Sequence, residues 1–330
     1  MAIKREAYLC LSAILRAREP QLLSLERAQR MLDAGSYEEA AKLLTDCGYP
    51  DLSQSAAREI EAQLADHRDA VLREMDALAP DKSIVSAFRV KYDYHNVKAI
   101  LKGEAMGADA EHLLSKAGRV APEKLLDAYR EERYSELPAP MASAMAEART
   151  VLARTANPQQ ADLILDQACY EEMKAAAKAA DCPFLEGYVR LLIDSTNLKS
   201  AVRTIRMHKD AEFLRSVLLT GGNVDLDRFL NAADGESLAA LFQNGKLAQA
   251  AALGAEAASG GRMTAFEKAC DNAVTAYLKD AKLISFGPEA LIAYLAAVEG
   301  EVTAVRMILT GRLAGIASDT IRERLRDFYA

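Results

Sequence analysis

Three short stretches of the sequence bring an acid, an amide and a base close together. Each stretch runs acid, two variable positions, Asn or Ala, an aliphatic residue and then a base. The copies occupy residues 93–98, 194–199 and 301–306, roughly one hundred residues apart. A carboxylate beside an amide could bind a ligand, or it could hold the backbone of a neighbouring segment.

Helical periodicity favours a structural role for these polar groups. Positions i, i+3, i+4, i+7 and i+8 share one face of a helix, so the acid and the amide lie at the start of an apolar stripe. A polar group that faces a core needs a partner. Three copies of a catalytic site in one chain would be unusual, whereas a repeated architecture would produce three structural copies. The structural signature is Asp93 with Asn96, Asp194 with Asn197, and Glu301 with Ala304.

The base of each copy falls off the apolar stripe and is the better candidate for contact with another chain. Two interpretations stay open. The bases contact a partner, or they have an ordinary role, either as solvated helix faces or in pairs with nearby acids at i±4. The candidate partner contacts are Lys98, Lys102, Lys199, Arg203, Arg306, Arg322, Arg324 and Arg326.

Familiar catalytic and metal-binding motifs are missing from the sequence. The nearest approach to a phosphate-binding loop, Gly245-Lys246, lacks the upstream glycine and the following Ser or Thr. The four histidines form no HExxH pair, and the five cysteines form no CxxC pair. We therefore expect no catalytic residue, no cofactor and no metal ion. An all-helical enzyme with a pocket that the sequence does not reveal is an alternative, which a turnover screen would test.

Composition indicates a globular helical protein. Of the 330 residues, 51% are hydrophobic and 27% are charged, and strong helix formers such as Ala, Leu and Glu dominate. The net charge of −7 argues against nucleic acid or an anionic membrane surface as the main partner. The apolar run at residues 290–298 is far shorter than the roughly 20 residues of a membrane span.

The elements that must position the signature recur with it. Each copy follows short helices, one or two long helices and a break at Pro or Gly. No stretch alternates with the period of a strand, so we predict an all-α fold. We expect residues 1–330 to form a single continuous body, with pseudo-repeats at approximately 1–118, 119–220 and 221–330. The chain should end in a helix over residues 321–329, capped by Ser318 and Asp319.

Nearly the whole chain resembles the C subunit of the bacterial and archaeal V/A-type rotary ATPases, which corresponds to the d subunit of the eukaryotic vacuolar enzyme. Residues 93–98 and 194–199 resemble the repeated signature of that family. The family usually has Asn at the position of Ala304, so the third copy departs from its pattern. The closing segment is the most specific part, with matches at Gly287, Pro288, Glu289, Tyr294, Glu299, Glu301, Val302, Val305, Arg306, Ile308, Gly311, residues 321–326 and Tyr329.

The resemblance implies both an architecture and a role. The family forms a funnel of three similar helical bundles around a pseudo-threefold axis. It sits on the membrane ring of proteolipid subunits, and its cavity receives the central shaft made of the D and F subunits. The expected location is the cytoplasmic face of the membrane, with membrane contact only through the ring. A protein of this kind is non-catalytic and couples rotation to H⁺ or Na⁺ transport, driven by ATP or driving its synthesis.

A generic helical-repeat scaffold that binds a protein in a concave face is the alternative. Such scaffolds usually repeat every 33–47 residues or so. This chain repeats at roughly one hundred residues, which favours the rotary-ATPase interpretation.

Overall fold

Residues 4–330, which the computed structural model describes, form sixteen α-helices and no strand. The all-α prediction is therefore confirmed for this part of the chain. The α-helices are α1 Leu9–Arg18, α2 Leu25–Asp33, α3 Tyr37–Lys42, α4 Ala57–Leu78, α5 Lys82–Met106, α6 Pro122–Arg130, α7 Ala139–Thr155, α8 Pro158–Ala179, α9 Pro183–Arg206, α10 Ala211–Val217, α11 Leu226–Asn231, α12 Gly235–Ala240, α13 Ala248–Ala258, α14 Met263–Lys279, α15 Pro288–Leu313 and α16 Ser318–Arg324. Short 3-10 helices cover Arg5–Tyr8, Glu19–Gln21, Thr45–Cys47, Glu111–Leu113, Tyr134–Glu136 and Asp280–Leu283.

The three signature stretches lie on three of the longest helices, α5, α9 and α15. The start of each is marked in the sequence. The Asp81 side chain accepts a hydrogen bond from the backbone N–H of Ser83 at the start of α5. Proline occupies the first position of α9 and of α15, where its missing N–H costs no helical hydrogen bond.

One apolar core is shared by the N-terminal halves of all three signature helices. Val85 of α5, Val189 of α9 and Leu291 of α15 are buried in it together. Helix α1 and the C-terminal ends of α4, α8 and α14 also contribute to this central core.

The C-terminal halves of the signature helices are buried in three separate cores. The first bundle joins α2, α3, α4 and α16 to the end of α15. The second joins α6, α7 and α8 to the end of α5, and the third joins α10 to α14 to the end of α9. The second and third bundles thus pack against the signature helix that precedes them in sequence. The first bundle instead packs against α15, from the other end of the chain.

The structure corrects the prediction for the last helix. Helix α16 ends at Arg324, and residues 325–330 are not helical. Its N-cap is Ala317, which makes no side-chain capping hydrogen bond. The apolar residues of the tail have a different role: Phe328 is buried in the first bundle and Tyr329 in the central core. Residues 1–3, which the first pseudo-repeat includes, lie outside the described residues.

Candidate functional site

The first signature fastens α5 to the segment that leads into α6. Asp93 and Asn96 are fully buried. Asn96 makes a two-way contact with the backbone of Ser115: its Nδ2 donates to the carbonyl at 2.8 Å, and the Ser115 N–H donates to Oδ1 at 2.7 Å. Asp93 accepts from the Val120 N–H at 3.0 Å and from Arg119 Nε at 2.6 Å. An otherwise irregular segment is thus held by one helical turn of α5.

Burial governs the protonation of this carboxyl. It raises the pKa of Asp93 above its usual value, although the hydrogen bonds from Arg119 and Val120 oppose the shift. Arg119 also donates to Glu172 of α8 at 2.6 Å, so a single guanidinium joins α5, α8 and the connecting segment. The arrangement satisfies buried groups and leaves little of Asp93 for a ligand.

The second signature repeats these contacts on α9. Asn197 exchanges two hydrogen bonds with the Leu219 backbone, each of 2.8 Å. Asp194 accepts from the N–H groups of Asn223 at 3.0 Å and Val224 at 3.3 Å. The side chain of Asn223 donates to the same carboxylate at 2.8 Å, where the first copy uses Arg119. Burial again raises the pKa of the acid.

The third signature uses the same acid position but binds a segment from the start of the chain. Glu301 accepts hydrogen bonds from the Leu23 N–H and, at 2.9 Å, from the Tyr49 hydroxyl. His67 lies 3.8 Å from Glu301 and stacks on Tyr49. Burial raises the pKa of Glu301 to about 7. Ala304 is buried in the first bundle and has no polar side-chain atoms with which to hold a backbone segment.

The three acids occupy equivalent places in the fold. Each binds the residue two positions before the first residue of a helix: Val120 before α6, Val224 before α11 and Leu23 before α2. Every signature helix therefore binds the backbone just before a helix of the bundle that it joins, which is the first helix of the first and second bundles and the second helix, α11, of the third. We call these three contacts the interlocks. They form a closed cycle, because the last signature helix locks the first bundle.

Two glycines that the sequence analysis did not connect with the signatures make the interlocks possible. A Cβ at Gly118 would overlap Oδ1 of Asp93, and a Cβ at Gly222 would overlap Oδ1 of Asp194. Both glycines stand two residues before the valine that the acid binds. The signal that could have revealed them is a glycine 25 to 30 or so residues after each signature aspartate.

The signature bases lie against carboxylates of a neighbouring long helix. Lys98 pairs with Asp166 of α8 at 2.6 Å, and Lys199 pairs with Asp271 of α14 at 2.5 Å. Arg306 pairs with Glu61 of α4 at 2.8 Å. One turn further along, Lys102 pairs with Asp162 at 2.7 Å and Arg203 with Glu267 at 2.6 Å. The acids are thus on another helix and not at i±4, and each base joins its signature helix to the bundle formed on it.

The three C-terminal bases differ from one another. Arg322 pairs with Asp33 at 2.7 Å, and this pair joins α16 to α2. Arg322 also pairs with Asp319 within α16. Arg326 pairs with Asp271 at 2.9 Å and ties the tail to α14. Arg324 is exposed. The structure therefore brings the signature bases into three similar sets. Of the C-terminal bases, Arg326 shares Asp271 with Lys199 of the second set, and Arg322 and Arg324 lie outside the sets.

Residues 4–330 contain no group of His, Cys, Asp or Glu side chains arranged to hold a metal ion. In the same residues, no helix is both long enough and apolar enough to cross a membrane. The fold and the interlocks define an all-helical protein whose repeated polar sites fasten helices to one another.

The comparisons with known proteins agree with this class. The family model described as ATP synthase (C/AC39) subunit matches residues 11–324. The chain therefore belongs to the ATP synthase (C/AC39) subunit family.

Relatives from three organisms are named as the C subunits of rotary ATPases. The chain is 25% identical over 322 residues to the C subunit of the V-type sodium ATPase of Enterococcus hirae, which covers 97% of this chain and 98% of the relative. It is 28% identical over 246 residues to the C subunit of the V-type ATP synthase of Thermus thermophilus, covering 68% and 71%. It is 24% identical over 352 residues to the C subunit of the A-type ATP synthase of Methanocaldococcus jannaschii, covering 98% and 88%. All three relatives are thus named as subunits of V-type or A-type enzymes.

Proposed function

We propose that this chain is the central-stalk subunit that joins the rotor shaft to the proteolipid ring of a V/A-type ATPase. It is a non-catalytic socket, it receives the D and F subunits of the shaft, and it rests on the ring at the cytoplasmic face of the membrane. The ion that the complex moves is H⁺ or Na⁺. The observation that carries the proposal is the closed cycle of interlocks in a chain of this family.

The closed cycle of interlocks suits a subunit that carries torque. Three bundles arranged as a funnel around a pseudo-threefold axis would share load through the central core. Close-packed helices are stiff because their interiors are as dense as organic crystals. Buried hydrogen bonds such as those of Asn96 and Asn197 resist sliding, because breaking one leaves polar groups unpaired. The pseudo-repeats at approximately 1–118, 119–220 and 221–330 belong to the same proposal.

A pull-down from solubilised membranes tests this function. The tagged chain should retain the D and F subunits of the shaft together with the proteolipid ring. Retention of neither would refute the proposal. Retention of an unrelated protein alone would favour the scaffold interpretation.

A charge swap tests whether a signature base also contacts a partner. Lys98→Asp combined with Asp166→Lys keeps the ion pair between α5 and α8 while it exchanges the two surface charges. If Lys98 contacts the shaft or the ring, the double variant should bind that partner about tenfold more weakly, although it is more stable than either single variant. Unchanged affinity for both partners would remove Lys98 from the interface.

A further inference from the structure

The third interlock lacks the amide that secures the other two. In the first and second copies, the signature asparagine binds the backbone of the residue five positions before the valine that the acid binds. Ala304 stands at the asparagine position in the third copy. The segment before Leu23, which Glu301 binds, is therefore held by something else.

A tyrosine from the other end of the chain reaches the corresponding place. The Tyr329 hydroxyl donates to Oε1 of Glu19 at 2.9 Å, and Glu19 stands four positions before Leu23. Arg16 donates to the same hydroxyl at 3.4 Å. Lys282 lies over the Tyr329 ring, 4.7 Å from its centroid. Tyr329 thus holds the segment that leads into α2, where an asparagine holds the corresponding segment in the other two copies.

Residues 325–329, which we call the strap, connect two bundles. Leu325 and Phe328 are buried in the first bundle. Arg326 pairs at 2.9 Å with Asp271 of α14, a helix of the third bundle. The strap therefore spans the junction between the first and third bundles.

The strap closes one side of a cavity of about 370 Å³. The other walls of this cavity include Val274 of α14, and Glu301 and Ala304 of α15. Ala304 is only 8% exposed. The strap thus lies across the part of α15 that would carry the third asparagine.

The contacts of the strap are of the kind that open locally. In the part of the chain that the structure describes, no backbone–backbone hydrogen bond involves residues 326–329. The Asp327 N–H instead donates to the side chain of Asn272 at 2.9 Å. The ion pair is partly exposed, with the side chains of Arg326 and Asp271 at 31% and 36% exposure. Segments with few buried contacts and exposed hydrogen bonds open at a lower free energy than a core does.

We propose that the strap is a releasable substitute for the missing asparagine, and that its release opens the junction between the first and third bundles while the other two junctions stay closed. Asn96 and Asn197 belong to long helices that are packed in two cores each, so neither can leave without its helix. The strap belongs to no helix and can leave alone. The cycle of interlocks then has one place at which it opens. Release is a property of the isolated chain and does not depend on the proposed function.

Thiol labelling of the full chain with N-ethylmaleimide tests this release. Ala304→Cys places a thiol in the wall of the cavity. The thiol reacts only when it is accessible, so its labelling rate under native conditions reports how often the cavity opens. The native Cys169, 7% exposed in the core of the second bundle, reports global opening in the same sample. Mass spectrometry of digested protein separates the two sites.

Two strap variants should speed labelling at position 304. Arg326→Ala removes a partly exposed ion pair and should raise the rate about threefold. Tyr329→Phe removes only the hydroxyl that binds Glu19 and should raise the rate about tenfold. The double variant should label about thirtyfold faster, because the two contacts share no partner. The rate at Cys169 should stay the same in all of them.

Arg324→Ala is the matched control. Arg324 is exposed and lies just outside the strap, so its removal should leave the rate unchanged. The proposal is overturned if neither strap variant speeds labelling, if Arg324→Ala speeds it equally, or if the rate at Cys169 rises in parallel. It is also overturned if the introduced thiol reacts as fast as the exposed Cys10 without any strap variant, since the strap would then not close the cavity.

Hydrogen exchange of the Asp327 N–H, followed by NMR, repeats the test without an introduced thiol. This N–H should be protected by its bond to Asn272 in the unaltered chain. Arg326→Ala should lower that protection about threefold, and Arg324→Ala should not. Equal protection in all three proteins would also overturn the proposal.

Discussion

Asp93 and Asp194 occupy equivalent positions but are balanced by different neighbours. Asp93 receives the guanidinium of Arg119, whereas Asp194 receives the neutral amide of Asn223. Each carboxylate also accepts hydrogen bonds from the backbone, and such bonds stabilise the charged form. The backbone contact is therefore the shared feature of the two interlocks. The side chain that also donates to the carboxylate differs, being Arg119 in one and Asn223 in the other.

Glu301 should make stability depend on pH in a window set by its own pKa. Its pKa is about 7 in the folded chain and about 4.3 when unfolded. The folded protein therefore binds the proton more tightly, and the stabilisation is complete below about pH 4 and lost as pH rises through about 7. Glu301→Gln removes this dependence, because an amide does not titrate in this range. Its oxygen can still accept from the Leu23 N–H, and its NH₂ can donate to the Tyr49 hydroxyl.

Melting curves of both proteins across roughly pH 4–8 provide the measurement. The advantage of the variant over the unaltered chain should grow by up to about 3 kcal/mol between about pH 4.5 and 7 and then level off. Comparison of the two proteins cancels the contributions of Asp93 and Asp194. A difference that stays constant with pH would contradict the assignment.

Gly118 should tolerate no side chain. Gly118→Ala places a methyl group against Oδ1 of Asp93, so the interlock must shift. We expect a loss of about 1–3 kcal/mol in the free energy of unfolding by urea. Gly300→Ala is the control, since a Cβ there meets nothing within 4 Å. Gly300 lies inside α15, so its substitution should instead stabilise the protein by about 0.5–1 kcal/mol. Equal effects at the two sites would argue against the steric explanation.

Asn197 should contribute more to stability than an exposed amide. Asn197→Ala leaves the buried N–H and carbonyl of Leu219 without partners. Each of the two unpaired groups costs about 1–3 kcal/mol, so we expect a total loss of about 2–6 kcal/mol. Asn244 is exposed, and Asn244→Ala should change the unfolding free energy by less than about 0.5 kcal/mol. Denaturant unfolding with similar losses for both variants would contradict the role of the two-way contact.

At the scale of elements, the ion pairs and the interlocks connect a signature helix to the same bundle. Helix α5 holds the entry to the second bundle through Asp93 and Asn96, and it holds α8 of that bundle through Lys98 and Lys102. Both contacts lie on one helix within about three turns. The signature helices are therefore connectors between the central core and the bundles.

A double-mutant cycle should detect the link between α5 and α8. Lys98→Asp and Asp166→Lys should each destabilise the chain, and the double variant should regain part of the loss. For a partly exposed pair we expect a coupling of about 0.5–1 kcal/mol, smaller in high salt. Additive losses in urea unfolding would show that the pair contributes nothing to stability.

The sequence predicted which side chains face inward but not what they bind. The spacing of Asp93 and Asn96 on one apolar face follows from helical geometry, and both are buried as expected. Their partners, Ser115 and Val120, lie in irregular backbone whose position depends on the packing of distant helices. The same limit applies to the bases. Periodicity places them outside the core, but it does not identify their ion-pair partners, such as Asp166 and Asp271.

At the scale of the whole molecule, the shared core should make unfolding cooperative. The central core contains residues of all three signature helices, so no bundle can lose its signature helix without disturbing it. We expect one calorimetric transition, with a van't Hoff enthalpy close to the calorimetric enthalpy. The variants Asn197→Ala and Gly118→Ala should move that transition as a whole. Separate transitions for individual bundles would contradict this expectation.

The contact between Leu23 and Glu301 also constrains the order in which the protein can be completed during synthesis. The two residues are 278 positions apart. At roughly 5–20 residues per second, the ribosome needs on the order of 10–60 seconds to make that length. The second and third bundles form on signature helices that are already made. Met31 and Ile60, by contrast, must wait for α15 before their core exists. The first helices to emerge are therefore among the last to be buried, and during that interval their apolar side chains are exposed to aggregation.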